Sequence, residues 1–182
     1  MCLLLCFNSR MRGKMRNNII LIGMPGVGKS TIGVVLAKRL GYDFIDSDLV
    51  IQKEEGKLLH ELITQQGLEG FLETENRINA SLLAERAVIA TGGSVIYGKE
   101  AMEHLASIGT VIYLRLGLEA LTGRLGDLTE RGVVLKEGQS LEELYQERVP
   151  LYEKYGEVVI DCEGKAIRQI VKEAAAWAAA LG

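Results

Sequence analysis

The sequence predicts an α/β fold built on a doubly wound parallel sheet. Short apolar runs alternate with segments of helical periodicity along most of the chain, as expected of successive βαβ units. The first apolar run leads into a glycine-rich segment and then into a helix, which is the order typical of a phosphate-binding loop.

The glycine-rich segment Gly23–Thr31, hereafter the phosphate loop, fits the pattern of a glycine, four residues and Gly-Lys-Ser. It follows the predicted strand Ile19–Ile22 and precedes a helix that we expect to end at Gly41. Its backbone N–H groups could approach phosphates closely at a positive helix end. Lys29 would then bridge the β- and γ-phosphates, and the Ser30 hydroxyl would hold Mg²⁺. The alternative is an ordinary glycine-rich turn that carries a lysine by chance.

Two carboxylates follow the second predicted strand, Tyr42–Asp46. Asp46 and Asp48 flank Ser47 at the carboxyl end of this strand, where open parallel sheets bind ligands. Ser47 or Asp48 could instead cap the next helix. Because a cap would account for only one of the two acids, we expect the pair to be functional.

The remaining elements continue the alternation. Residues 58–86 read as mostly helical with interruptions near Gly67 and Gly70, and Glu73 and Arg77 are spaced as a surface ion pair. Later strands are predicted at Ala87–Ala90, Thr110–Leu114 and Val158–Ile160, and helices at 100–107, 119–125, 140–155 and from 167 onward. Ser140 and Glu143 form a capping box for the 140–155 helix, which Pro150 could kink.

Two further segments have compositions typical of ligand contact. The segment Thr91–Ser94, hereafter the glycine turn, places two glycines directly after the third strand. The segment 126–138 is glycine-punctuated, charged and weakly periodic, as are the closing segments of phosphotransfer enzymes. Arg131 in its middle favours a lid over a passive surface loop. Arg148 could be either a surface charge or an anion ligand.

Composition limits the classes of partner. With 182 residues the chain is most simply one domain, and its net charge of −3 gives no general attraction to nucleic acid or to anionic membranes. The three cysteines are scattered and form no metal-binding pair with the two histidines, which indicates a reducing cytosol. We therefore expect a cytoplasmic protein without nucleic-acid or membrane partners.

The first sixteen residues look foreign to this domain. The apolar run Cys2–Phe7 is too short to span a bilayer and precedes its basic residues, the reverse of a secretory signal. We expect a disordered extension over 1–16 and a single domain over 17–182. Met11 or Met15 would then be the true start rather than Met1, and a membrane anchor is the alternative.

Motif placement separates the classes that share a phosphate loop. A regulatory GTPase would carry Asn-Lys-x-Asp, which is absent. Asp161–Gly164 fits Asp-x-x-Gly only by its letters, because it follows the fifth predicted strand, where it could not reach a γ-phosphate. A large ATPase motor would need a longer chain. A small phosphoryl-transfer enzyme remains.

Four blocks in the expected order resemble the shikimate kinase family: Gly23–Thr31, Phe44–Asp48, Thr91–Ser94 and Arg148–Tyr152, with Arg131 as the lid arginine. The resemblance runs from about Asn17 to the C-terminus, and the second and fourth blocks are its most specific parts. It implies a P-loop kinase of the nucleoside monophosphate kinase type, a three-layer sandwich whose five-stranded parallel sheet has the order 2-3-1-4-5. It also implies a phosphotransferase that uses ATP and Mg²⁺ to convert shikimate to shikimate 3-phosphate in aromatic amino acid biosynthesis. We expect this enzyme to be a monomer.

The resemblance also implies roles for individual residues. The catalytic residues would be Lys29, Asp48 and Arg131, and the metal ligands would be Ser30 and Asp46. The nucleotide would be bound by Gly26, Val27, Gly28, Lys29, Ser30, Thr31, Arg124 and Arg131. The hydroxy-acid substrate would be bound by Asp48, Phe71, Gly92, Gly93, Ser94 and Arg148, with Arg148 paired with its carboxylate.

Three positions depart from the family pattern. Leu72 replaces an arginine that would be a second clamp on the substrate carboxylate, Ser94 replaces a third glycine, and Gly132 replaces a proline after the lid arginine. We expect the first change to weaken shikimate binding. A kinase of another small hydroxy compound, or a nucleotide-binding regulatory module without turnover, therefore stays open at this point.

Overall fold

The computed structural model describes residues 16–125, 136 and 138–179. The strands in this part of the chain are β1 Asn18–Ile22, β2 Asp43–Asp46, β3 Ala87–Ala90, β4 Gly109–Arg115 and β5 Val158–Asp161. The helices are α1 Lys29–Leu40, α2 Ser47–Glu55, α3 Leu59–Ser81, α4 Lys99–Ile108, α5 Leu118–Leu125, α6 Leu141–Tyr155 and α7 Ile167–Ala179, with a 3₁₀ turn at Val95–Tyr97.

The five strands form one parallel sheet of order β2-β3-β1-β4-β5, which confirms the predicted fold. Ile20 of β1 pairs with Ile89 on one side and with Val111 on the other. The crossovers from β1 lead toward β2 and β3, whereas β4 and β5 lie on its other side. The loop after β1 therefore lies at the switch point where α/β sheets bind ligands.

The central strands are apolar because the helices cover them. Every residue of β1 and β3 is buried, as is β4 up to its last residue. A second, smaller cluster joins α2 and α3 and has its own buried side chains, which are Ile51, Leu62, Phe71 and Ile78. The α2–α3 unit therefore has a core of its own beside the main sheet.

Helix α3 differs in part from its prediction. It is interrupted at Gly67, which has φ 71° and ψ 178°, but it continues as helix through Gly70. The predicted pair of Glu73 with Arg77 is wrong, since Arg77 donates to Glu55 Oε1 at 2.6 Å. Packing of α2 against α3 places that carboxylate within reach of Arg77.

The capping box of α6 is confirmed, and the helix continues through Pro150 to Tyr155. Ser140 Oγ accepts from the Glu143 backbone N–H at 3.2 Å, and Glu143 Oε2 accepts from the Ser140 N–H at 2.8 Å. This reciprocal pair satisfies donors that the first turn leaves unpaired. The start of α6, which carries Arg148, is therefore well defined.

Two predicted segments lie largely outside the described residues. Of the predicted lid over 126–138, the structure describes only residues 136 and 138, so Arg131 lies outside it. Of the predicted extension over 1–16, it describes Arg16, which donates to the Gly109 carbonyl at 3.0 Å. None of the helices in the described part is long and apolar enough to cross a membrane.

Candidate active site

The segments that follow β1, β2 and β3 meet at the carboxyl edge of the sheet. They are the phosphate loop, the start of α2 and the glycine turn. Helix α6 comes to the same edge, because Tyr152 donates to the Gly93 carbonyl at 2.6 Å and its ring stacks on Tyr113 of β4. Most of the predicted site residues are thereby brought together.

Backbone geometry explains the glycines of the phosphate loop. Gly23 has φ 146°, and a Cβ there would lie 2.6 Å from the Leu114 carbonyl oxygen. Gly28, with φ 104°, is the N-cap of α1 and has no side chain that could fill the approach to the helix. The first turn of α1 carries no acidic residue, so no carboxylate of that turn would repel an anion bound at its N–H groups.

Lys29 is held in the loop by the loop's own backbone. Its Nζ donates to the carbonyl oxygens of Gly23 at 2.6 Å and Met24 at 3.1 Å. Burial lowers the pKa of Lys29 to about 8, with Asp48 opposing the shift and Arg148 adding to it. The ammonium is mostly charged at neutral pH and lies where an incoming phosphate could exchange for these carbonyls.

Asp46 has two structural contacts at the end of β2. Its Oδ2 accepts from Ser30 Oγ at 2.8 Å, and its Oδ1 accepts from the Asp48 backbone N–H at 3.1 Å. Asp46 is thus the N-cap of α2, and the alternative expectation of a cap at Ser47 or Asp48 is wrong. The aspartate is the residue with extended backbone just before the helix, which is the geometry a cap requires.

The donor set at this point suits Mg²⁺. A hydroxyl from Ser30 and a carboxylate from Asp46 lie side by side, and both are hard oxygen ligands. No cluster of three or more His, Cys, Asp or Glu able to hold a metal occurs among the described residues. Mg²⁺ needs no such cluster, since it keeps several waters and takes substrate phosphate oxygens as ligands.

Asp48 lies against the glycine turn. Burial raises its pKa to about 6, with the charge of Asp46 adding to this shift and Lys29 opposing it. A Cβ at Gly92 would lie 2.8 Å from Asp48 Oδ1 and would collide with Glu75 Oε1, while the Gly92 N–H donates to Ser47 Oγ at 3.2 Å. Only glycine lets the turn pass between these two carboxyl groups.

Gly93 lies between the phosphate loop and α6. A Cβ at this position would lie 2.9 Å from Pro25 Cδ and 3.1 Å from Arg148 Nη1. Arg148 is 1% exposed, with its guanidinium 5.3 Å from the Tyr97 ring and its Nε donating to the Tyr97 hydroxyl at 3.3 Å. The reading of Arg148 as a surface charge is therefore wrong, and the anion-ligand reading fits its buried position.

Glu75 is a site residue that the sequence analysis missed. It is 1% exposed, and neither carboxylate oxygen makes a well-aligned hydrogen bond with another described residue. Burial raises its pKa to about 7, while the nearby Ser94 hydroxyl opposes that shift and the charge of Asp48 reinforces it. Its spacing four residues after Phe71 on one helix was an available signal, because residues i and i+4 share a face.

The other predicted residues lie on the phosphate loop, beside it, or in the second cluster. Phe71 of α3 is buried in the second cluster. Arg124 Nη1 donates weakly to the Val27 carbonyl at 3.4 Å, which puts it beside the phosphate loop. Thr31 is exposed on the first turn of α1, and Gly26 has φ 80° within the loop.

The arrangement provides the parts of a phosphoryl-transfer site. One edge of the sheet collects a phosphate loop with a buried lysine, a hydroxyl–carboxylate pair suited to Mg²⁺, a raised-pKa carboxyl and a buried guanidinium. Transfer of a phosphoryl group depends on positioning and charge stabilisation more than on covalent chemistry. Besides the phosphates of the nucleotide, an anionic group on the acceptor molecule could be bound by Arg148.

Comparisons with known proteins agree with this geometry. A family model described as shikimate kinase matches residues 25–179. The shikimate kinase of Francisella tularensis subsp. novicida is 40% identical over 160 residues, covering 86% of this chain and 91% of that protein. That of Francisella philomiragia is 39% identical over 160 residues, with the same coverage.

Solved structures give the same result. A shikimate kinase from Acinetobacter baumannii in complex with shikimate has a TM-score of 0.82 and 30% identity, covering 92% of this chain and 95% of that one. A shikimate kinase from Aquifex aeolicus has a TM-score of 0.71 and 28% identity, covering 91% of this chain and 99% of that one.

Proposed function

We infer the function from one premise: this chain belongs to the shikimate kinase family. It is a phosphotransferase with an alcohol group as acceptor, and it converts shikimate and ATP to shikimate 3-phosphate and ADP. The observation that carries this assignment is the convergence of buried Lys29, partly buried Asp48 and buried Arg148 at one edge of the sheet. The regulatory-module alternative is not favoured, because each of these groups has a separate task in transfer.

The nucleotide occupies the phosphate loop in this proposal. Gly26, Val27, Gly28 and Thr31 present backbone or hydroxyl donors to the phosphates, and Lys29 exchanges its carbonyl partners for β- and γ-phosphate oxygens. Arg124, beside Val27, packs on the adenine. Ser30 and Asp46 would hold Mg²⁺, which would supply positive charge beside the phosphates.

Asp48 orients the acceptor hydroxyl. It accepts a hydrogen bond from that hydroxyl and, as the new O–P bond forms and the bond to ADP breaks, takes up the released proton. Its pKa, raised to about 6 by burial, leaves it mostly ionised at neutral pH and suits it to accept that proton. Lys29 stabilises the charge that develops on the transferred group.

The rest of the substrate lies along the glycine turn toward α6. Gly92 and Gly93 allow close approach, Ser94 and Phe71 shape the wall, and Arg148 pairs with the carboxylate. Arg131, which lies outside the described residues, would close onto the phosphates with the 126–138 lid.

The setting of the enzyme is also a proposal. The net charge of −3 offers no general attraction to nucleic acid. We propose a cytoplasmic monomer in which residues 17–182 form one domain and 1–16 an extension.

An ATP-consumption screen tests the assignment. Purified protein with ATP and Mg²⁺ is offered shikimate, other hydroxy acids, polyols and nucleoside monophosphates. We expect the highest kcat/KM for shikimate. A higher value for another acceptor, with shikimate near background, would contradict the proposal.

A further inference from the structure

A cavity of about 180 Å³ lies between α3 and α6, and we call it the α3–α6 cavity. Its charged lining residues are Lys136, Glu147 and Arg148, and Leu72 lies on its wall. Arg148 joins the cavity to the site, because Nη1 of the same guanidinium lies 3.1 Å from where a Gly93 Cβ would be. A carboxylate that reaches Arg148 from the glycine turn therefore faces this cavity.

We propose that Lys136 is a specificity-determining residue, which supplies the second positive charge for the carboxylate of the substrate at the α3–α6 cavity. The inference rests on the proposed function and extends it. Lys136, which precedes α6, would make the ionic contact with the substrate carboxylate that the apolar Leu72 on α3 cannot make.

The charges around the cavity support this role. Glu147 Oε1 accepts from the Tyr97 hydroxyl at 2.6 Å, and Oε2 accepts from Lys136 Nζ at 2.9 Å. Glu147 and Arg148 alone would sum to zero, so Lys136 gives the lining its net charge of +1. A carboxylate entering beside apolar Leu72 would otherwise lose hydration without a full counter-charge.

Lys136 is held by its backbone next to α6. Its N–H donates to Gln139 Oε1 at 3.2 Å, and its carbonyl accepts from the Gln139 N–H at 3.0 Å. The capping box at Ser140 follows directly, so this turn is tied to the helix that carries Arg148. The backbone of Lys136 is therefore fixed in position relative to Arg148.

The Lys136 ammonium has N–H groups available for a further hydrogen bond. An ammonium carries three N–H groups, and among the described residues the side chain of Lys136 bonds to Glu147. The remaining donors can turn toward a carboxylate without breaking that bond. Since the side chain is 62% exposed, its contribution should be moderate and should fall with salt.

Lys136→Met tests the proposal, with Lys99→Met as a matched control. Lys99 is also exposed and ion-paired, with Glu103 on α4, and it does not line the cavity. We expect Lys136→Met to raise KM for shikimate about threefold to fivefold, with kcat and KM for ATP changed less than twofold. Lys136→Arg should keep most of the parent's affinity, and Lys99→Met should match the parent.

The carboxamide of shikimate separates a charge contact from structural support. It has the shape of the substrate without its charge, so the parent and Lys136→Met should use it equally poorly. Adding Leu72→Arg to Lys136→Met should restore shikimate affinity, because it returns a cation to the same cavity.

Three results would overturn the inference. An unchanged KM for shikimate in Lys136→Met would make Lys136 an ordinary surface charge. Equal losses with shikimate and its carboxamide would indicate support of α6 instead. If the unmutated protein transfers no phosphoryl group to shikimate, both the proposed function and this inference fail. That result is seen in the assay of the unmutated protein alone, so it is distinguishable from failure of the inference.

Discussion

At the scale of single residues, the site is a small group of charges that the fold keeps out of water. Burial lowers the pKa of Lys29 and raises the pKa values of Asp48 and Glu75, so each shift favours the neutral form of the side chain. Perturbed groups of this kind cluster where proteins do chemistry. Arg148 adds a buried guanidinium to this group.

Glu75 is the least expected member of this group. It lies three residues after Leu72 on α3, so an arginine at 72 would have been a natural ion partner for it. The leucine removes that partner, and the hydroxyl of Ser94 lies nearby instead. Two departures from the family pattern thus meet at one buried carboxyl.

Glu75→Gln should make the protein less sensitive to rising pH. Because burial raises the pKa of Glu75 from 4.5 to about 7, the folded carboxyl keeps its proton where the unfolded one has lost it. Its stabilising contribution is complete below pH 4.5 and is lost as pH rises through 7. Between pH 5 and 8 the parent should lose on the order of 2 kcal/mol of unfolding free energy relative to the variant.

Urea unfolding at both pH values measures this difference. Asp48, Lys29 and Arg148, which surround Glu75, are common to both proteins and cancel to first order. The exposed Glu73→Gln on the same helix is the control and should show the parent's pH dependence. Parallel curves for the parent and Glu75→Gln would contradict the prediction.

At the scale of elements, the site depends on how closely the glycine turn approaches the segments around it. The glycine turn passes between Asp48 and Glu75, and its Gly93 touches both Pro25 of the phosphate loop and Arg148 of α6. Tyr152 fixes the same turn from the other side. A single added methyl group should therefore displace the carboxyl groups of Asp48 and Glu75 without unfolding the domain.

Gly92→Ala tests this close approach. Its Cβ would lie 2.8 Å from Asp48 Oδ1 and would collide with Glu75, so one carboxyl or the turn must move. We expect turnover to fall by about 100-fold, as for a displacement of about 1 Å, with about 1–3 kcal/mol of stability lost.

Gly123→Ala is the matched control, because no atom of the described residues lies within 4 Å of its added Cβ on α5. That variant should keep its activity and gain up to about 1 kcal/mol from the better helix former. Full activity in Gly92→Ala would mean that the turn does not position Asp48.

At the scale of the whole molecule, much of the fold could be predicted because its causes are local. Runs such as Ile19–Ile22 are apolar throughout because both faces of the sheet are covered, and glycines such as Gly41 end helices. The strand order and the family came from motif blocks read in sequence. Each of these signals can be read from the sequence without knowing which other elements pack against it.

The missed features depend on contacts between distant parts of the chain. Arg77 pairs with Glu55 on α2, Glu75 is buried against the glycine turn, and Glu147 holds Lys136 and Tyr97 together. Spacing along a helix gives the face of a residue but not what packs against it. Asp46 both caps α2 and accepts a hydrogen bond from Ser30, and this double contact could not be predicted for the same reason.

Single-turnover transfer from ATP labelled in its γ-phosphate, with enzyme in excess and Mg²⁺ and shikimate present, tests the central claim most directly. We predict that the label moves quantitatively into shikimate 3-phosphate, and that Lys29→Met slows this step by about 10²–10³-fold while Lys38→Met does not. Label that stays in ATP or appears as inorganic phosphate in the parent, or a Lys29→Met rate within about threefold of the parent, would contradict the account.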